Sequence, residues 1–147
     1  MNLKNTASEF GGANGANAVL VSVAVAQVAN TATYNLGAVI GVDTAALDIV
    51  ELTGWDTADG DLAIDFAAGT GVELLKGLSS GASAGSITSD GGDDDYYLIA
   101  YDTNVTVIYH VDGTTDPNVA ADLIPVVMFN STIADGAFVA ADFIMIA

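Results

Sequence analysis

Apolar residues recur at every second position through much of this chain. Over residues 18–28, Val19, Val21, Val23 and Val25 fall on one side, against Leu20, Ser22, Ala24 and Ala26 on the other. A period of two with β-branched side chains predicts a strand. The same pattern predicts strands over 32–40, 46–53 and 61–66, and a brief one near Ile87. Within 46–53, Leu47 and Ile49 oppose Asp48, Val50 and Leu52, so alternation alone leaves the inward face open. Tyr96–Tyr101 and Val105–Val111 are separated by Asp102-Thr103-Asn104, three good turn formers, which predicts a hairpin. Strands over 123–129 and 142–147 follow. Pro125 has no ladder donor, so the first of these is expected at a sheet edge or at a bulge.

One segment changes period. Thr70-Gly71-Val72-Glu73 has capping-box spacing, Val72, Leu75 and Leu78 then fall about a turn apart, and Gly81 is a stop. A short helix over about 70–80 is expected. The chain as a whole therefore reads as all-β, an antiparallel sandwich or roll with one short helix. The Gly/Asn/Ala-rich residues 1–17 predict a flexible arm, and 18–147 a single β domain. A short echo lies inside that domain. Val119-Ala120-Ala121-Asp122-Leu123-Ile124 is repeated 20 residues later as Val139-Ala140-Ala141-Asp142-Phe143-Ile144. Each copy predicts an Asp-capped tight turn that leads into an apolar strand.

Charge narrows the function. The 147 residues carry 19 Asp+Glu against two lysines, Lys4 and Lys76, for a formal charge of −17. Arginine is absent, so the clustered cations that neutralise nucleic-acid phosphates or bind an anionic leaflet are missing. Hydrophobic residues make up 52 %, which is too many for a disordered acidic tail. A surface of one sign repels itself unless cations neutralise it. There is no cysteine, hence no disulfide. The N-terminus lacks the basic-then-apolar order of a signal peptide, and the apolar run 18–29 is too short to span a bilayer. Neither a signal peptide nor membrane insertion is expected.

Little in the chain suits catalysis. His110 is the single histidine, and no serine sits in a nucleophile-elbow pattern. A non-enzymatic protein is expected. The acids suit Ca²⁺ better, because that ion takes six to eight hard oxygen ligands, often on Gly-containing loops. Three segments have this character. Asp56, Asp59 and Asp61 precede the strand 61–66. Asp90, Asp93, Asp94 and Asp95 enter the hairpin, around Gly91-Gly92. Asp112 and Asp116 leave it, with Asp102 and Asp122 nearby. None matches the EF-hand pattern.

The C-terminal half carries a resemblance. It rests on Gly92-Asp93-Asp94-Asp95-Tyr96-Tyr97-Leu98-Ile99-Ala100-Tyr101-Asp102-Thr103-Asn104, on Ile108-Tyr109-His110-Val111-Asp112-Gly113, and on Ala140-Ala141-Asp142-Phe143-Ile144-Met145-Ile146-Ala147. These segments resemble the terminal regions of bacterial RTX-type proteins exported by type I secretion. The terminal Asp-Phe with its apolar followers looks like an uncleaved secretion signal, over about 130–147. The nonapeptide of the calcium β-roll is absent, since Asp93-Asp94 follow Gly91-Gly92 and nothing repeats. The resemblance implies export by the type I secretion machinery, a bacterial extracellular or cell-surface address, and calcium-linked folding. No catalytic activity is implied.

Together these readings predict a secreted, calcium-stabilised structural surface protein that assembles with copies of itself into a filament or lattice. Strand 18–28, with Val19, Val21, Val23 and Val25, is the candidate for addition to a neighbour's sheet. The alternative is a small secreted adhesin or glycan-binding module, with Trp55 or the Tyr96–Tyr109 aromatics as a platform for surface glycans.

Overall fold

The computed structural model describes residues 2–4, 20–24, 33–36, 49–53, 70–78, 86–88, 95–101, 105–112, 119–131, 133–134 and 136–146. Nine strands fall among them: β1 (Asn2–Lys4), β2 (Leu20–Ala24), β3 (Thr33–Asn35), β4 (Ile49–Thr53), β5 (Ser86–Thr88), β6 (Tyr96–Tyr101), β7 (Thr106–Val111), β8 (Leu123–Phe129) and β9 (Ile144–Ile146). One α-helix, α1, spans Gly71–Leu78. Among the described residues the fold is all-β, with one complete short helix. The strand expected over 61–66 lies outside the described residues.

Five strands form the central sheet in the order β2-β4-β6-β7-β8. The antiparallel arrangement expected of the sheet holds for β6, β7 and β8, whereas β2, β4 and β6 run parallel. The connections explain the difference. Only four residues join β6 to β7, a hairpin length, while β3 lies between β2 and β4, and both α1 and β5 lie between β4 and β6. Intervals of that length permit crossovers and hence parallel neighbours. Two short parallel ribbons, β1 with β9 and β3 with β5, complete the pairing. Asn2–Lys4, placed by sequence in the arm, is thus paired with Ile144–Ile146.

Successive side chains of a strand face opposite ways, and here both faces of the sheet are covered. On one face Val23, Val50, Leu52, Tyr96, Leu98, Val107, Tyr109 and Val111 pack against Leu74, Leu75 and Leu78 of α1, with Leu36 and Ile87 beside them. On the other, Ile49, Tyr97, Ile99, Tyr101 and Ile108 pack against Phe143, Phe138 and Ile133 from the C-terminal segment. This double burial explains why alternation leaves the inward face of β4 open. It also moves the helical stripe: Leu74 joins Leu75 and Leu78 in the core, and Val72 is left exposed.

Strand β8 is an edge strand and is bulged. Ile108 pairs with Val127 but Tyr109 pairs with Pro125, so Val126 is the extra residue. The proline satisfies both expectations at once. The two copies of the echo also adopt one structure. Each is a single turn of 3₁₀ helix, Ala120–Asp122 and Ala140–Asp142. Val119 N–H donates to Asp122 Oδ2 at 2.8 Å, and Val139 N–H donates to Asp142 Oδ2 at 2.9 Å. A strand follows each turn.

Candidate functional site

Three groups of polar and aromatic side chains lie on the sheet face opposite the helix. The first is buried. Glu51 in β4 is 0 % exposed, yet it is not orphaned. Ser22 Oγ, directly opposite it in β2, donates to Glu51 Oε2 at 2.5 Å, and the Tyr101 hydroxyl donates to Oε1. A buried carboxyl without donors would be costly, so these two hydroxyls are what make the position tolerable. Thr106, opposite Tyr101 in the ladder, is fully buried, and its hydroxyl has no hydrogen-bond partner among the described residues.

The second group lies at the other end of the β6–β7 ladder. His110 Nε2 is 2.9 Å from Asp95 Oδ2, and the Tyr97 ring is 5.5 Å from the imidazole, centroid to centroid. Tyr97 and His110 are register partners, which is why the three side chains meet. Burial, with the Asp95 charge adding to it, pushes the Tyr97 phenol above its ordinary range.

The third group is a cavity of about 410 Å³ lined by Phe129, Ile133, Ala137, Phe138, Asp142 and Phe143. Phe138 is its centre, with ring centroids 6.1 Å from Phe129, 5.4 Å from Phe143 and 6.3 Å from Tyr101. A turn delivers it there. Ala137 N–H donates to the Ala134 carbonyl at 3.0 Å, and Gly136 supplies the positive φ of 74° that side chains rarely adopt.

Three of the sequence-predicted metal ligands are placed by the structure. Asp95 is engaged with His110. Asp112 and Asp122 are brought together where β7 meets β8, with Asp112 N–H donating to the Asp122 carbonyl at 2.9 Å. The Asp122 carboxylate itself caps the 3₁₀ turn. Among the described residues, no group of three or more His, Asp or Glu side chains converges as a metal centre would require. Asp56, Asp59, Asp61, Asp90, Asp93, Asp94, Asp102 and Asp116 lie outside the described residues, as do Val19, Val25 and Trp55.

Two expectations change. Val23 is buried in the chain's own core and Val21 packs against it, because β2 pairs with β4 of the same chain. In this pairing Val23 faces the chain's own core and Val21 is partly buried beside it. Tyr96, Tyr97, Tyr101 and Tyr109 are all buried, so they form core and not an exposed sugar platform. The reason is that both sheet faces are covered, which a hairpin read in isolation does not reveal. The aromatic cavity escaped the sequence reading because Phe129, Phe138 and Phe143 follow no single period. Their one signal is that they all fall in the last nineteen residues.

Among the described residues no helix is long and apolar enough to cross a membrane. Comparison with protein-family models, with curated proteins and with solved structures finds no match.

Proposed function

We propose that this chain is a secreted, calcium-stabilised structural surface protein that assembles with copies of itself into a filament or lattice. The observation that carries the reading is the outermost strand β8. Ile124 and Val126 are each 47 % exposed there, with Met128 and Pro125 also open. Exposed apolar side chains on an edge strand favour association. The opposite edge of the sheet is β2, whose Ser22 and Ala24 are exposed.

Contact between unlike edges is heterologous, and it propagates unless it closes into a ring. Since β2 is held by β4, the addition proposed joins outer edges of intact sheets and exchanges no strand. Pro125 and the bulge at Val126 interrupt the ladder on β8, so this edge contributes apolar side chains more than backbone donors. A charge of −17 on each subunit opposes assembly, and divalent cations relieve that repulsion. Calcium uptake outside the cell, after type I export of an unfolded chain, links address, folding and assembly.

The test is size-exclusion chromatography with light scattering, together with negative-stain microscopy, in calcium and then in chelator. Ordered polymers in calcium, lost in chelator and lost with Ile124→Lys or Val126→Lys, support the reading. A monomer indifferent to calcium overturns it.

A further inference from the structure

The cavity on the C-terminal side of the sheet shares Phe129 with strand β8 but none of the exposed Ile124, Val126 and Met128, and its chemistry points elsewhere. Phe129, Phe138 and Phe143 line it, with the Phe138 ring tilted by 43° to Phe129 and by 45° to Phe143, so several rings border one space. Phe138 contacts a fourth ring, Tyr101, behind it. Among the described lining residues the polar one is Asp142. Its Oδ2 accepts from Val139 N–H at 2.9 Å, which fixes the carboxylate on a residue that lines the cavity. The chain carries only two lysines and no arginine, against 19 acids.

An apolar pocket for a neutral ligand gains nothing from a carboxylate in its wall. Aromatic faces attract cations held within about 6 Å of a ring centroid, and a carboxylate beside them adds Coulomb attraction. From the joined rings, the fixed Asp142 and the negative field of the whole chain, we infer that this cavity binds a small organic cation. The group recognised is a quaternary or alkylated ammonium. At about 410 Å³ the cavity suits a small molecule. The negative field disfavours any ligand that carries a phosphate next to its ammonium, so the occupant is a free cation rather than a phosphocholine headgroup.

The echo supplies an internal control. Asp122 caps its turn through the same bond to a valine N–H but does not line the cavity. Asparagine at either position still offers an oxygen to the valine N–H, so each turn keeps its cap while one charge is removed.

Calorimetric titration of the full-length protein with choline, and with its uncharged tert-butyl isostere, tests the inference at matched ionic strength. Saturable choline binding is expected, with the isostere at least about tenfold weaker. Asp142→Asn should weaken choline about five- to tenfold and leave the isostere unchanged, whereas Asp122→Asn should leave both unchanged. Phe138→Leu, shown to be folded by circular dichroism, should abolish choline binding, and phosphocholine should bind more weakly than choline.

Equal affinity for choline and its isostere would overturn the inference, as would no saturable binding at millimolar choline. An equal effect of the two Asp→Asn changes would do the same, by reducing the attraction to diffuse charge. Phosphocholine binding as tightly as choline would overturn the assignment to a free cation.

Discussion

Leu123 and Phe143 hold the same place in two copies of one short motif, yet they anchor opposite faces of the central sheet. Each follows an Asp-capped 3₁₀ turn and each is almost fully buried, at 2 % and 1 % exposure. Leu123 packs with the helix side of the core and Phe143 with the C-terminal side. One local device thus closes both layers.

Truncating these anchors should cost about 2–5 kcal/mol for Leu123→Ala and about 3–5 kcal/mol for Phe143→Ala. The two sites share no cluster, so the double variant should equal the sum within about 0.5 kcal/mol. Urea denaturation of the four proteins measures this. A large coupling energy would mean that the sheet transmits strain between its faces.

The caps predict smaller effects. Asp122→Ala and Asp142→Ala each remove the acceptor for a valine N–H and should destabilise by about 0.5–1 kcal/mol, with the asparagine variants close to the parent. Both turns are exposed, which keeps the loss small. Thermal melts of the Ala and Asn pairs compare them directly.

Gly71→Ala should destabilise although alanine favours helix. A Cβ at Gly71 would lie 2.5 Å from the Ala120 carbonyl oxygen and 2.6 Å from Leu123 Cβ, so the helix start would have to move off the turn that precedes β8. Overpacking of this kind costs about 1–3 kcal/mol, more than the roughly 0.8–1.0 kcal/mol that helix propensity returns. Chemical denaturation gives the sign. A stabilised variant would show that α1 can shift freely.

Glu51 and Tyr101 make a double-mutant cycle. Tyr101→Phe removes a donor from a carboxyl that water does not reach, and about 1–3 kcal/mol of stability should be lost. Replacing the acid as well, in Glu51→Met/Tyr101→Phe, should restore most of that loss, because no buried acceptor is left short of a donor. Ser22 lies at the exposed end of the network and can turn its hydroxyl to water.

Alkaline pH acts through the tyrosines. Burial pushes the Tyr109 phenol far above its ordinary value of 10.0, with the Glu73 charge adding, and its hydroxyl donates to the Thr70 carbonyl at 3.3 Å. Tyr97 is raised in the same direction. In the unfolded chain both ionise near the ordinary value, so above that pH the folded state holds more protons than the unfolded one. The contribution is fully present below about pH 10 and declines as pH rises further. Stability measured between pH 8 and about pH 12 should fall, and Tyr109→Phe should flatten the decline.

Much of the local structure follows from the chain itself. Period two in 18–28, the runs 96–101 and 105–111 around the turn formers Asp102-Thr103-Asn104, the Thr70–Glu73 spacing and Pro125 predict the elements that form, because each depends on neighbours within a few residues. The repeated Val-Ala-Ala-Asp predicts two identical turns for the same reason. What the tertiary structure decided is everything that depends on partners distant in sequence: parallel pairing of β2, β4 and β6, burial of both sheet faces, and the hydroxyl pair that accommodates Glu51. It also set the meeting of Phe129, Phe138 and Phe143 around Asp142. Alternation tells which side chains share a face, but whether that face meets water or another layer is fixed only when the remote segment that covers it has docked.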